Sequence, residues 1–484
     1  MGSEEIAVRC QRGSASYRYK EKFPHINEAK VMRKIDFRVI PVLCVLYLLA
    51  FLDRVNISNA ALFGLKTDLK LKGNQYNTAL VVFFVPYIVF EIPSNILLKR
   101  FKPHVWLSGC MFFFGLISIC QGLTHNFSGL IAARFFLGFV ESGVFPACFY
   151  LIAMWYKREE AQKRFSFFFS STTMAGAFGG LLASAIGKMD GMRGYHGWRW
   201  IFILEGTLTS VASFILYFTI SDFPEEAKWL TEEEKAFVKA RLYDDVGHSK
   251  RGEPLTARKV LEVFKDYKII VGGFMYLGLI VPAYGYAYFA PSIIQGLGHT
   301  SIRTQLLSVP PWACAFVMSM LVAIASDFFR HRFVFGLLPI AIAMAGFITL
   351  LVVHNHTKTQ YAALFLAVMG AYSAMPILVC WFNTNLGGHQ RRAVGTAWQV
   401  GFGNIGGIIA VYAFVAKDAP RYTKGYSICL AFICVSLIAN CVYLFAVVHE
   451  NHRRDAGQAK ADATFTQDEK AHMGDLNPDY RYLL

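Results

Sequence analysis

Four residues could do chemistry inside otherwise apolar segments of this sequence. Asp53 and Arg54 are neighbours in "FLDRVNISNA", directly after "VIPVLCVLYLLA". Arg134 and Glu141 stand seven apart in "AARFFLGFVESGVFPACFY". A charge near the centre of a bilayer costs roughly 2.5–3.5 kcal/mol on insertion scales, so such residues face a cavity and one another. Seven residues make two helical turns, which sets Arg134 and Glu141 on nearly one face, about 10 Å apart along the axis. With both carboxylates ionised the four charges cancel. Protonating one leaves a positive surplus, and a guanidinium grips a carboxylate with two parallel donors. The set is therefore suited to exchanging a proton and binding an organic anion. A static salt-bridge cluster is the competing reading, but desolvation cancels most of its Coulomb gain. Helical neighbours point about 100° apart. Arg54 is accordingly expected to face the cavity, and Asp53 to turn toward the fourth helix and Arg134.

The elements holding these residues read as membrane spans. Of 484 residues, 55% are hydrophobic and only 17% charged, whereas a soluble domain carries about 25% charge. Apolar windows of about 20 residues recur near 37–61, 76–98, 104–123, 127–150, 164–187, 198–220, 269–290, 304–326, 332–353, 360–382, 392–416 and 425–448. That predicts an all-α membrane protein of about twelve spans with both termini on one side. Residues 1–34 are polar and basic without a short apolar core, so no cleavable signal is expected. Lys99, Arg100, Lys102, Lys157, Arg158, Lys163, Arg164, Arg330, Arg332, Arg391 and Arg392 fall in even-numbered connections. By the positive-inside rule these mark the cytosolic side. The net charge of +15 follows this loop pattern, which argues against a nucleic-acid partner. Three lysines in the outer segment 62–75 run against the rule. Two sequons, at Asn126 and Asn355, lie in predicted exterior loops. The ten cysteines show no paired spacing, and nine of them sit within apolar runs and read as small core residues.

The spans form two sets of six around a polar middle. The expected organisation is an arm over 1–35, a six-helix bundle over 36–220, a linker over 221–268, a second bundle over 269–449 and a tail over 450–484. In the linker, "KWLTEEEKAFVKARL" places Thr231 three residues before Glu234, a capping box, with Trp229, Phe237 and Leu242 as an apolar stripe. The halves echo each other: "QKRFSFFFSSTTMAGAFGG" from Gln162 returns as "QRRAVGTAWQVGFGNIGG" from Gln390, and "LKRFKPH" returns as "SDFFRHR". Such repeats mark secondary transporters with a site between the halves near the midplane. The glycine pairs Gly179/Gly180 and Gly406/Gly407 read as close-packing positions.

These motifs resemble the major facilitator superfamily and, within it, the anion:cation symporter family. "LDRVNIS", "RFFLGFVESGVFP" and "EIPSN" carry the likeness. "PEEAKWLTEEEKAFVKARL" and "GHQRRAVGTAWQVGFGNIGGII" bring it nearest to the fungal allantoate, nicotinate and pantothenate permeases. It covers roughly residues 35–450. The resemblance implies a plasma-membrane, proton-coupled importer of a small organic anion that works by alternating access, as a monomer and without a cofactor. Asp53 and Glu141 would couple protons, and Arg54 and Arg134 would hold or gate the anion. In this fold the first, fourth, seventh and tenth helices line the cavity. The family's gating loop departs here: Lys99 stands where an Asp is expected, while Asp327 keeps the second copy, with Arg330 or Arg332 as partner. Softer candidates for substrate contact are Tyr87, Tyr284, Tyr288, Gln399 and Asn404, and Glu91 is expected to gate. An exporter working by proton antiport is the alternative; its fifth-span Gly-Pro is missing from "GAFGG". No Ser/His/Asp set, metal-ligand cluster or phosphate loop points to an enzyme.

Overall fold

The structure is a computed structural model and describes residues 22–98, 101–246, 257–329, 331–354, 356–387, 389–464, 477 and 480–483. Lys99, Arg100, Arg330 and Asn355 lie outside the described residues. Among the described residues twelve long helices, some interrupted, form the bundle. In the first half these are α1 (Glu28–Leu62), α2 (Gln75–Leu98), α3 (Pro103–Gly122), α4 (Phe127–Glu141, resuming as Val144–Trp155), α5 (Arg158–Phe169, resuming as Ser171–Ile186) and α6 (Gly197–Thr219). The second half holds α7 (Tyr267–Gly296), α8 (Ser301–Phe329), α9 (Arg332–Val352), α10 (Thr357–Thr384), α11 (His389–Ala413) and α12 (Thr423–Thr464). Among the described residues eleven helices are long and apolar enough to cross a membrane. The twelfth member is α2, whose 24 residues hold one charge, Glu91.

Several helices begin where a side chain satisfies an orphan backbone N–H. Asn27 accepts from Lys30 and Asn126 from Gly129, so the first sequon asparagine serves as a helix cap. Helices α1 and α12 run several residues past the expected windows, because their polar ends continue the backbone ladder beyond the apolar stretch. Large apolar side chains face outward, Phe218, Phe328 and Phe445 among the most exposed, as a lipid-facing surface requires. Asp53, Arg54, Glu91, Arg134, Glu141 and Glu205, charged groups within the spans of the first half, lie inside.

The repeat seen in the sequence has a structural meaning. Arg164 at the start of α5 forms a two-pronged bond to Asp36 on α1, at 2.6 and 2.9 Å. In the second half Arg391, which matches Lys163 in the repeat, stands at the start of α11 and donates at 2.7 Å to Asp266, the cap of α7. One glycine of each pair, Gly180 and Gly407, lies on a seam between the halves. A Cβ on Gly180 would sit 2.9 Å from the Gln305 carbonyl of α8, and one on Gly407 would strike the Phe84 ring of α2. Glycine is what lets these helices touch.

Each half is also braced at the end that carries the termini. The capping box forms, Thr231 and Glu234 exchanging bonds of 2.9 and 3.2 Å. The helix it opens, Glu232–Val246, lies on the first half: Phe237 meets Phe23, and Arg241 bonds Glu28 and Glu160. Just before it, Trp229 stacks on Trp155 of α4. On the second half, residues 480–483 cover the end of α10. The Leu483 carbonyl accepts from Trp381 and Asn385 at 2.8 and 3.0 Å, and the Tyr482 hydroxyl accepts from Lys268 at 3.0 Å.

Candidate functional site

The centre of the bundle is built around one guanidinium. Arg54, on α1, donates from Nε to Glu141 Oε1 at 2.8 Å, and a terminal nitrogen reaches the same oxygen. Its other terminal nitrogen donates at 2.5 Å to the Tyr284 hydroxyl of α7. Arg54 thus ties a carboxylate of the first half to a phenol of the second. Phe51, Phe83 and Tyr87 surround it, their ring centres 5.2–5.8 Å from the guanidinium carbon. Helix α4 is interrupted directly after Glu141, at Ser142–Gly143, both of which keep right-handed helical backbone angles.

Arg134 is completely buried and makes no ion pair among the described residues. Its terminal nitrogens donate to the Arg54 carbonyl at 3.3 and 3.4 Å, and its Nε has no acceptor. Glu141 and the Tyr288 phenol lie within electrostatic reach. Tyr288 stacks on Tyr284 at 5.7 Å, and Phe84 presents its edge to both rings. The second oxygen of Glu141 and the Tyr288 hydroxyl also lack partners. A guanidinium fork, a half-used carboxylate and two phenols therefore converge between the halves.

Asp53 goes elsewhere. It does not meet Arg134; it accepts from Ser118 of α3 at 3.5 Å and faces Thr209 of α6. The 100° step was anticipated, but the direction depends on how α1 is rotated. Its Arg54 face is held by α4 and α7, which sends Asp53 toward α3 and α6. A carboxylate not singled out from the sequence lies there. Glu205 of α6 is 2% exposed and accepts from Asn56 at 2.6 Å. A lone acid in "IFILEGTLTS" was the available signal, the same one that marks Asp53.

The remaining candidates spread along the seams. Tyr87 flanks Arg54. Gln399 bonds Asn383 and the Gly272 carbonyl, and Asn404 bonds the Val400 carbonyl of its own helix, so their contacts are away from the arginines. Glu91 is buried on α2, with one oxygen unpartnered and Gly401 of α11 opposite. Asp327 has Arg332 of α9 and Lys163 and Arg164 of α5 as charged neighbours, while Arg332 donates to Thr384 at 3.2 Å. A cavity of about 40 Å³ opens between the halves toward the termini end, lined by Tyr156, Phe165, Asn383, Thr384 and Arg392 among others. The opposite end is closed by Asn77, donating to the Val411 and Phe414 carbonyls at 2.6 and 3.1 Å, and by Ser301, donating to the Leu62 carbonyl at 3.0 Å. Among the described residues no group of three or more His, Cys, Asp or Glu could hold a metal.

Two six-helix halves with a charged seam between them define a membrane transporter. The chain belongs to the Major Facilitator Superfamily, whose family model matches residues 43–411. An uncharacterized transporter of Schizosaccharomyces pombe, C1002.16c, is 32% identical over 459 residues, 95% of this chain and 91% of its own. The MFS-type transporter cnsO of Penicillium expansum is 30% identical over 498 residues, 99% and 96% of the two chains. Among solved structures, the proton:xylose symporter XylE bound to 6-bromo-6-deoxy-D-glucose aligns with a TM-score of 0.65 at 15% identity, over 84% of this chain and 95% of its own. An inward-facing, unoccupied bacterial homolog of the human lysosomal transporter Spinster aligns at 0.61 and 16%, over 85% and 96%. At these identities the structures support the fold.

Proposed function

We propose that this protein imports a small organic anion together with protons across the plasma membrane by alternating access, with its termini in the cytosol. The observation that carries this reading is Arg134, a wholly buried guanidinium with no carboxylate of its own. A buried cation is costly unless something pairs it, and a substrate carboxylate matches its fork. Protonating Glu141 weakens its hold on Arg54, so both arginines turn to the anion. The Arg54–Tyr284 bond then relays that change to the second half. A negative-inside potential opposes anion entry by about 2.3 kcal/mol per charge per 100 mV, and one proton carried along cancels it. Proton symport is compatible with this fold, since a solved neighbour carries that name. Asp327 with Arg332 or Arg330 would close the cytosolic side, and Glu91 would act at the α2–α11 seam.

The test is accumulation by proteoliposomes under an inward acid gradient, screened over nicotinate, pantothenate, biotin, allantoate and ureidosuccinate. One of these should accumulate in the wild type, and its amide should not. Glu141→Gln should lose accumulation and keep counterflow. Acid-driven accumulation that survives intact in Glu141→Gln would refute the coupling, and energised cells that deplete the ligand would favour the exporter.

A further inference from the structure

The three lysines that run against the positive-inside rule belong to a larger pattern. At the end away from the termini lie six connections, some with the helix starts that follow: 63–75, 123–126, 187–199, 297–303, 353–358 and 414–424. Together they hold eleven Lys and Arg, three Asp and no Glu. Each aspartate is already engaged. Asp68 accepts from Arg199 at 3.1 Å and from the Trp198 indole at 2.9 Å. Asp190 accepts from the Gly197 backbone at 2.6 Å with His196 beside it, and Asp418 lies 3.8 Å from Lys424. Nine of the eleven cations therefore make no ion pair among the described residues. The termini end is built the other way. Lys34, Lys102, Lys239, Arg164 and Arg241 each have a carboxylate at 2.6–3.3 Å.

Five of the nine stand on two loops from opposite halves. Lys66, Lys70 and Lys72 follow α1, and Lys417 and Arg421 precede α12. The loops adjoin across the seam. Asn77, just inside the first, donates to the Phe414 carbonyl at 3.1 Å; the Phe414 ring packs on Tyr422, and Tyr422 is within electrostatic reach of Tyr76. Lys70, Lys72, Lys417 and Arg421 are exposed. Lys66 is half-buried, its ammonium 4.2 Å from the centre of the Tyr76 ring. Burial pulls that ammonium below the ordinary lysine value, and no acid offsets the cost. Tyr76 is itself within electrostatic reach of Arg134. Positive charge thus runs from the loops inward to the buried fork.

We propose that this end of the molecule is an anion-collecting face: its loop cations concentrate small anions over the seam, and Lys66 is the innermost of them, above the route to Arg134. Clustered cations that no acid neutralises raise a potential that draws anions in, and such fields speed encounter by about 10–10³-fold at low ionic strength. Salt confines the effect to about 10 Å at 0.1 M, which suits a face lying directly over the entrance. The Lys66 ammonium rests on a ring face, a partner that a passing carboxylate readily replaces. Basic loops are disfavoured on the exterior of a membrane protein, and capture of an anion gives this end a use for them. That the collected anion is the transported one rests on the symport reading above; the field itself does not.

The test reads the field with no transported substrate present. Thr67→Cys and Asn74→Cys, both at exposed positions, are made in the full-length protein and placed in phosphatidylcholine nanodiscs. Each is modified by an anionic reagent, sulfonatoethyl methanethiosulfonate, and a cationic one, trimethylammonioethyl methanethiosulfonate, with the wild-type background subtracted. A change in thiolate fraction affects both reagents alike, so their rate ratio reports the local potential. Relative to 2-mercaptoethanol, the ratio should favour the anion about tenfold at low ionic strength and lose most of that preference at about 0.5 M salt. Combining Lys70→Glu, Lys72→Glu and Arg421→Glu should abolish the preference at both positions. Lys66→Gln should lower it about threefold at Thr67→Cys and leave Asn74→Cys nearly unchanged. Should the triple variant fail to fold, the salt dependence and Lys66→Gln carry the test. A ratio equal to that of 2-mercaptoethanol, or one indifferent to salt, overturns the proposal. Indifference of Thr67→Cys to Lys66→Gln overturns the place given to Lys66. An anion preference that stands while no carboxylate accumulates would sink the symport reading alone. Acid-driven carboxylate uptake alongside a neutral ratio would sink this proposal alone.

Discussion

The two halves share a plan and differ in chemistry. Both tie the start of their fifth helix to the start of their first through an Arg–Asp pair, and both put a close-packing glycine on a seam. Yet the first half buries Asp53, Arg54, Glu91, Arg134, Glu141 and Glu205, all within its helical core. Among the described residues of the second half's helices, the only buried ionised side chain is Arg332, at the termini end; its core offers Tyr284, Tyr288, Tyr372, Asn383, Gln399 and Asn404. Backbone symmetry sets the hinge-like seams. Side-chain asymmetry puts most of the buried charged groups in one half and leaves phenols and amides in the other. Arg54 crosses that divide through its bond to Tyr284.

If this division of labour holds, the largest effects come from the first half. Arg134→Lys replaces a planar fork by a point charge in a buried site, and the affinity for a transported carboxylate should fall on the order of a hundredfold. Equilibrium binding by the purified variant, with folding checked by thermal unfolding, reads this. Binding at wild-type affinity would place anion recognition in the second half instead.

The next effect concerns motion. Gly407→Leu puts a side chain into Phe84 across the α2–α11 seam, and overpacking of this kind typically costs about 1–3 kcal/mol. The strain falls on the arrangement described here, closed at the end away from the termini. The variant should favour separation of the halves there and slow turnover more than it weakens binding. A cysteine pair reporting on that end by cross-linking distinguishes this from simple misfolding, which would lower both.

Tyr284→Phe sharpens the comparison from the other side. It removes the second half's bond to Arg54 while keeping the stacked ring. A hydrogen bond to a charged group contributes about 1.5–3 kcal/mol, so the expected loss is about tenfold to a hundredfold, read as a change in transport rate. Tyr288→Phe, whose hydroxyl has no partner, should change little unless the substrate uses it.

What was legible in the sequence, and what was not, follows the same division. Asp53, Arg54, Arg134 and Glu141 stood out because ionised groups are costly in apolar runs, and that cost is visible residue by residue. Glu205 obeys the same rule and went unmarked, having no nearby motif or basic partner to draw attention. The partner of Asp53 was not legible, because the rotation of α1 is decided by packing against α4, α6 and α7 rather than by local spacing. Gln399 and Asn404 illustrate the converse. An amide inside a span signals a need for a hydrogen bond, and both found one in backbone or a neighbouring amide. The two-half fold was plain from span count and repeat; the short interruption of α4 after Glu141 was not, since Ser142–Gly143 keep helical backbone angles.

The smallest expected effect lies at the brace on the first half. Lys34 of α1 donates at 2.8 Å to Glu234 of the linker helix, which also accepts from the Thr231 backbone. Partial burial pushes the Glu234 carboxyl up, but the Lys34 ammonium and the Thr231 donors outweigh it and hold the group below its ordinary value. A carboxyl depressed in the folded state stabilises above its unfolded pKa, and that stabilisation is lost as pH falls through the folded value. Docking of the linker should therefore be pH-independent near neutrality and loosen only in acid, below the ordinary range of a glutamate. Glu234→Gln should remove that acid dependence and lower stability by less than about 1 kcal/mol, as is usual for a solvent-screened pair. Hydrogen exchange along Glu232–Val246, compared at neutral and acid pH, measures it. If the brace matters only to the first half, exchange at the end of α10, under residues 480–483, stays the same in this variant. A change there would mean that the two halves are braced together, and the division between them would have to be redrawn.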